Sequence, residues 1–284
     1  MYSAKFESDR GQIFEFSKEN GVAADMDLGK GVSVNFGVSQ SFSQIGETVE
    51  TATVGGRPIE VHGFLFGKDI DEKKREMRTV FAPLSQGTLI FQSGESIQCY
   101  VQDPPTFSVK KGDGRFSMLL YAPYPYFTGK DAIVKAIGEV EPLFSFPVNY
   151  AEPHWFGITD PNRATEVINN SDVPVSFELK ILVKGTVSNP VLSDLINFRF
   201  VKINATFGQG EVVRLFRNEN GILVVEKTAT DGSVENILRY LDEDSNPFPL
   251  EPGKNLVAIT DDYEGAGMTA YITWKEVQVA VYES

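Results

Sequence analysis

The chain has 284 residues, 42% of them hydrophobic and 12% aromatic, and a formal charge of −13 from 39 acidic and 26 basic residues. This length supports one large or two ordinary domains, and we expect two. The acidic excess disfavours tight binding to nucleic acid or to anionic membrane, and solubility is a sufficient explanation for it. If the chain lines a channel, a negative wall would also let DNA pass without specific binding.

The sequence contains no membrane-spanning or secretory signal. No window of eighteen or more apolar residues occurs, and the first seven residues have neither an apolar core nor a small-residue cleavage site. We therefore expect a soluble protein made in the cytoplasm, with no signal peptide and no membrane insertion. The single cysteine, Cys99, excludes an intrachain disulfide, and its strand-like context predicts a buried small hydrophobe.

A projecting hairpin is predicted near residue 55. Residues 47–54 alternate Thr and Glu with apolar residues, Gly55-Gly56 follows, and residues 57–66 are again strand-like. A two-glycine connection between such runs favours a hairpin because primed turns need positive φ. The first run is polar on one side, so we expect this hairpin to project from the body as an arm.

One helix is predicted over residues 70–82. Asp69 or Asp71 can cap it, Pro83 stops it, and apolar residues recur on one face at helical spacing: Ile70, Met77, Val80, Phe81 and Leu84. The helix carries the dense basic cluster of the chain, formed by Lys73, Lys74, Arg75 and Arg78. We interpret this cluster first as a solvated face balanced by Glu72 and Glu76, and alternatively as an electrostatic contact with an acidic neighbouring subunit.

The remaining pattern is β throughout. Short apolar stretches separated by Gly, Pro, Asn or Asp recur at intervals of about 8–12 residues, which is typical of sandwiches and barrels. The fold class is therefore mainly β, with two β-sandwich domains. We place the first domain at residues 1–128, a linker at 129–147 and the second domain at 148–284, and we expect separate strands at 97–101 and 106–109.

No catalytic or metal-binding constellation stands out. The two histidines, His62 and His154, lie in no nucleophile motif and are interpreted as structural. Residues 63–69 depart from a phosphate loop in glycine spacing and magnesium ligand, and residues 242–253 lack the Gly and Glu that a calcium loop requires. We predict no enzyme activity, no cofactor and no metal, although acidic pairs are too numerous to exclude a glycosidase on spacing alone.

Several short sequence segments, taken together, resemble the distal tail (Dit) protein family of siphophages. In the second half these are residues 169–174, Asn189-Pro190 and residues 250–257. In the first half they are residues 57–63 followed by the helix, then 87–91, 97–105 and 122–127. Ala122 stands where the family often has an acid. Each segment alone is only a turn signature, and the resemblance depends on their number and order.

The resemblance implies a ring-forming β-sandwich domain with a helix and an extended hairpin, followed by a galectin-like domain. A homo-hexameric ring at the virion tail tip would join the tail tube protein to the tail-associated or tail fibre protein and the receptor-binding proteins of the baseplate. Closed rings need two different patches on each subunit. Our candidates for one patch are on the hairpin and the basic helix: Glu47, Val49, Thr51, Thr53, Arg57, Lys73, Lys74, Arg75 and Arg78.

The main alternative is a carbohydrate-binding module that recognises host cell-surface glycans. Exposed aromatic residues would support it, and Trp155 and Tyr263 are the candidates, whereas Trp274 alternates with apolar neighbours and is predicted to lie in the core. Similarity of fold to lectins is analogy and not evidence of sugar binding.

Overall fold

The fold is taken from a computed structural model that describes residues 3–28, 32–108, 110, 113–138, 164–218, 221–263 and 267–281. The chain divides into two compact units, Met1–Lys130 with Val277–Ser284, and Asp131–Glu276. It is mainly β, as predicted. No described helix is long and apolar enough to cross a membrane.

Ten strands begin in the first unit: β1 Ala4–Ser8, β2 Ile13–Phe16, β3 Val22–Asp27, β4 Val34–Ser39, β5 Thr48–Val54, β6 Arg57–Leu65, β7 Gln86–Phe91, β8 Ser96–Phe107, β9 Arg115–Ala122 and β10 Phe127–Ile137. The pairings are antiparallel, in the orders β2-β1-β7-β8 and β8-β9-β6-β3, so β8 belongs to both. Alternate side chains of the strands in these two orders are buried and form one hydrophobic core.

Strand β8 corrects the prediction of two separate strands at 97–101 and 106–109. It continues through Pro104 and Pro105, and its pairing with β9 shifts register between Val101 and Asp103 and again between Asp103 and Thr106. Proline has no backbone N–H to donate to a neighbouring strand. Because the register shifts interrupt the regular hydrogen bonds between β8 and β9, proline is tolerated within this strand. Cys99 in the same strand is fully buried, as predicted, and burial raises the pKa of its thiol to about 12.

The helix α1 spans Ile70–Val80, close to the predicted range. Met77 and Val80 are buried, and Phe81, directly after the helix, packs its ring 4.7 Å from that of Phe6. Leu84, predicted on the same face, is instead 88% exposed, because the chain has left the helix and adopts a φ of 62° there.

The predicted pairing of residues 47–54 with 57–66 across Gly55-Gly56 is wrong. Strand β5 pairs with β4, and the two form a separate two-stranded sheet that we call the arm. Neither glycine has the positive φ that a primed turn needs. Strand β6 buries alternate side chains and pairs with β3 and β9, whereas every residue of β5 is exposed.

Arg57 ties the returning end of the chain to the first unit. Its side chain is 1% exposed, Nη2 donates to the carbonyl of Val279 at 2.6 Å, and Nη1 donates to the carbonyl of Leu28 at 3.4 Å. The guanidinium lies 4.8 Å from the ring centroid of Phe127. Desolvation by burial lowers the pKa of Arg57, so these contacts offset the cost of an internal cation.

The second unit contains the strands β11 Ala164–Asn169, β12 Glu178–Val183, β13 Val187–Ser188, β14 Val191–Asp194, β15 Arg199–Lys202, β16 Thr206–Phe207, β17 Val212–Arg217, β18 Leu223–Thr228, β19 Val234–Asn236, β20 Gly253–Thr260 and β21 Met268–Gln278. One sheet has the order β19-β18-β17-β12-β21, another has the order β11-β20-β14-β15, and β13 pairs with β16. A 3-10 turn spans Leu238–Tyr240. Buried residues alternate along most of these strands, as expected for sheets that each cover a core.

Two of the turn segments, residues 169–174 and 250–257, are in contact. Asn169 and Gly253 are opposite each other where β11 pairs with β20. The Asn169 side chain donates to the Leu250 carbonyl at 3.0 Å, and the Asn255 side chain donates to the Glu251 carbonyl at 2.8 Å and accepts from the Glu251 amide at 2.9 Å. Both asparagines are buried, so their amides supply partners that backbone groups inside the unit require.

The loop between β14 and β15 is held by a buried carboxylate. Asp194 is 2% exposed and accepts from the amides of Ile196 and Asn197 and from the Arg199 guanidinium, at 2.7 Å from Nη2. Desolvation opposes ionisation, yet these donors lower the pKa of Asp194. At the loop tip Phe198 is 91% exposed and has a φ of 56°, which is strained for a side chain of this size.

The unit boundaries differ from the predicted 1–128, 129–147 and 148–284. Strand β10 continues through residues 129–137, so these residues form part of a sheet and not of a linker. Residues 139–147 lie outside the described part. The last residues, Val277–Ser284, belong to the first unit, where Val279 meets Arg57.

Replacing Arg57 tests its anchoring role. Arg57→Ala removes two hydrogen bonds and the packing of the guanidinium on Phe127, and we expect the free energy of unfolding to fall by about 2–4 kcal/mol. Arg115→Ala is the matched control, because the Arg115 side chain is 62% exposed and should change stability by less than about 0.5 kcal/mol. Urea denaturation measures both, and equal losses would contradict the role of Arg57.

Phe198→Gly should stabilise the fold. Glycine adopts the left-handed region without steric cost and no buried contact is lost, so we expect a gain of about 0.5–1 kcal/mol in the free energy of unfolding. Ile196→Gly in the same loop, where φ is not positive, should instead be destabilising. Thermal and urea unfolding of both variants would check this, and a loss of stability in Phe198→Gly would refute the strain.

Candidate subunit-contact surface

The arm has one apolar and one polar face. Directly opposed residues in antiparallel strands share a face, and the register pairs Val34 with Val54, Phe36 with Ala52 and Val38 with Val49. The other face carries Asn35, Thr51 and Thr53. A register shift after Gly37 keeps Val49 on the apolar side.

The apolar face is open to solvent in the single subunit. Phe36 is 60% exposed, Val49 is 56% exposed, and at the far end of the arm Phe42 and Ile45 are completely exposed. No arm residue belongs to the hydrophobic core of the first unit. A two-stranded hairpin is only marginally stable in water by itself, and contiguous exposed apolar surface marks an interaction site.

The structure separates the predicted arm residues. Val49 lies on the apolar face, Thr51 and Thr53 lie on the polar face, and Glu47 is exposed directly before β5. Arg57 is removed from the candidate contact set because its side chain is internal. Sequence reasoning missed β4 and the far loop of the arm, although the alternation of Val34, Phe36 and Val38 was a readable signal.

The basic helix face is partly engaged within its own subunit. Lys73 donates to the carbonyl of Asn20, and Lys74 donates to the carbonyl of Asp113 at 3.0 Å. The Arg78 guanidinium lies 5.1 Å from the centroid of the Phe107 ring, and Arg75 is exposed. Arg75 and Arg78 are therefore the members of the cluster that present most charge to solvent.

The aromatic residues considered for a glycan contact differ in exposure. Tyr263 is 59% exposed, in a turn where its amide donates to Asp261 at 3.0 Å, and it lines no described cavity of the second unit. Trp274 is 5% exposed, which confirms that it is a core residue. Trp155 lies outside the described residues, as does His154.

The described residues that were considered for chemistry make ordinary ion pairs and hydrogen bonds. His62 lies on the outer surface of β6, with Nε2 3.5 Å from a carboxylate oxygen of Glu60. Asp242, at the start of the segment compared with a calcium loop, accepts from Asn204 Nδ2 at 2.9 Å and from the amide of Asp244. Within the described ranges, no group of three or more His, Cys, Asp or Glu residues is arranged to hold a metal ion.

Comparison with known proteins agrees with the architecture. Residues 170–277 match the family model of the siphovirus-type tail component, C-terminal domain. The crystal structure of SPP1 Dit, described as a paradigm of the hub adsorption apparatus of phages that infect Gram-positive bacteria, superposes with a TM-score of 0.67. The two chains are 12% identical, and the match covers 98% of this chain and 99% of that one.

A chain of the phage P2 baseplate in its activated conformation also matches, with a TM-score of 0.45 and 15% identity over 97% of this chain and 98% of that chain. A search of curated proteins gives no match. The family model covers much of the second unit, and the fold of SPP1 Dit covers both units. Residues 170–277 therefore match the C-terminal domain of siphovirus-type tail components, and the fold of the chain is similar to that of SPP1 Dit.

Proposed function

We propose that this protein forms the ring-shaped hub at the distal end of a phage tail. Six copies would surround the tail channel, join the tail tube protein to the baseplate, and offer a platform for the tail-associated or tail fibre protein and the receptor-binding proteins. The function would depend on interfaces and not on catalysis. DNA would pass through the ring without specific binding, consistent with a formal charge of −13.

The exposed apolar face of the arm is the observation that carries this proposal. Full burial of a Val or Phe side chain contributes about 1.5–3 kcal/mol relative to exposure, so covering several of them strongly favours association. The free subunit has no described contact that covers this face. A second copy that receives the arm would supply the missing cover.

A closed ring requires a head-to-tail contact between two different patches. The arm is suited to one side of such a contact because it consists of a single hairpin whose residues are exposed on both strands. Arg75 and Arg78 are suited to an electrostatic contact, since the neighbouring copy is also acidic overall. Location at the virion tail tip follows from this function.

The apolar face of the arm can be tested against its polar face. Phe36→Asp with Val49→Asp should abolish the ring-sized species and leave the melting temperature of the subunit nearly unchanged, because both side chains are exposed before assembly. Thr51→Asp with Thr53→Asp introduces the same charges on the opposite face and should retain assembly. Sedimentation velocity over a concentration series measures both. Assembly that survives in the first pair, or fails equally in both, would refute the proposed contact.

The basic helix face can be tested by charge reversal. Arg75→Glu with Arg78→Glu should weaken association, and added salt should weaken assembly of the unmodified protein in the same direction. Lys184→Glu with Arg217→Glu produces the same change in net charge on exposed residues of the second unit and controls for general repulsion. Equal weakening by the two pairs would favour the solvated interpretation of the helix.

A further inference from the structure

A concave site in the second unit lies apart from the arm and helix. Its volume is about 280 Å³, and it is lined by Asn204, Thr206, Lys227, Glu235 and Tyr240 together with Phe207 and Ile237 beneath them. Tyr240 is 38% exposed, whereas Phe207 and Ile237 are buried. The site thus combines an apolar floor, an accessible aromatic ring and several polar groups, which is the general composition of a small-molecule site.

The polar groups of this site are fixed before any ligand arrives. The Asn204 amide donates to Asp242 at 2.9 Å, and the Asn204 backbone amide donates to the Tyr240 carbonyl at 2.7 Å. Glu235 accepts from Arg239 at 2.6 Å, and Lys227 Nζ lies 3.5 Å from both Glu211 and Glu235. Fixed groups lose little freedom on binding, so they favour a ligand that fits them.

The charges around the site balance. Three cations, Lys202, Lys227 and Arg239, are each within 3.9 Å of a carboxylate, and these carboxylates belong to Glu211, Glu235 and Asp242. The Arg239 hydrogen bond lowers the pKa of Glu235, the Asn204 hydrogen bond lowers that of Asp242, and the charge of Glu211 raises that of Lys227. These shifts favour the charged forms of Glu235, Asp242 and Lys227, and the pairing of opposite charges gives no attraction for a phosphate or a strongly charged peptide.

Tyr240 provides the remaining element. Its hydroxyl accepts from Arg239 Nη2 at 3.1 Å, and the Arg239 guanidinium lies 4.7 Å from the ring centroid, so the aromatic ring is held in place. An aromatic face packs against apolar C–H groups, and neighbouring carboxylate, amide and ammonium groups can each pair with a hydroxyl, which both donates and accepts. A neutral ligand rich in hydroxyl groups with one apolar face satisfies all of these.

We infer that this concave site binds a neutral saccharide of one or two sugar rings. Tyr240 packs against the C–H face of the sugar, and Asn204, Lys227 and Glu235 pair with its hydroxyl groups. This recognition is separate from ring formation, because it uses none of the residues assigned to subunit contact. It also differs from the sequence-based expectation, which placed a glycan contact at Trp155 and Tyr263.

Titration of the full chain with a panel of neutral mono- and disaccharides, followed by amide NMR shifts and calorimetry, tests the inference. At least one saccharide should bind, with shifts concentrated at residues 204–207, 227 and 235–240. Tyr240→Ala should weaken that binding about fivefold or more, since an aromatic contact of this kind contributes about that factor. Tyr263→Ala, which removes an exposed tyrosine outside the site, should bind as the unmodified protein does.

Asn204→Gln keeps the amide group but displaces it, and it should also weaken saccharide binding. It provides an independent test in case Tyr240→Ala alters the fold. Melting temperatures identify variants that are unfolded. Absence of saccharide binding across the panel, shifts located elsewhere, or stronger binding of phosphorylated sugars than of neutral ones would overturn the inference. Ring assembly measured in parallel should be unaffected by either substitution in the site, so the two proposals fail independently.

Discussion

The apolar face of the arm is the constraint on which the functional account depends. Val34, Phe36, Val38 and Val49 line a hairpin that contributes nothing to the hydrophobic core of the first unit. A β-sheet usually buries one face against its own domain, and here the covering layer is missing from the described chain. Because no arm residue belongs to the described core, the proposed function explains these apolar residues by association with another protein surface.

The body that carries the arm is fixed by a few internal polar anchors. Arg57 joins β6 to the segment around Val279. Because its side chain is buried, this charged residue beside the arm has an internal role. In the second unit, Asn169 and Asn255 serve the same purpose for strands β11 and β20. Arg57 and Asn169 donate to backbone carbonyl groups 222 and 81 residues away, and Asn255 donates to a carbonyl four residues away. Loss of any one of these side chains removes a hydrogen bond from a buried backbone group.

Much of the fold follows from local sequence rules. The β class, the helix, the core position of Trp274 and the burial of Cys99 all reflect periodicity and burial preferences that act over short windows. The pairing of the arm was not predictable in this way, because Gly55-Gly56 has the composition of a tight turn but not its φ values, and β6 pairs with strands distant in sequence. The internal role of Arg57 depends on a contact with Val279, 222 residues away. The proposed saccharide site depends on a contact between Asn204 and Tyr240, 36 residues apart. No local sequence pattern reveals either contact.

The two proposals assign assembly to the first unit and saccharide recognition to the second. Hydrogen–deuterium exchange of residues 34–54, compared between the dilute subunit and the assembled species, tests the assembling role most directly. The account predicts that amides of β4 and β5 exchange quickly in the free subunit and become strongly protected on assembly. Equal exchange of these amides in both states, with protection appearing only elsewhere, would contradict it.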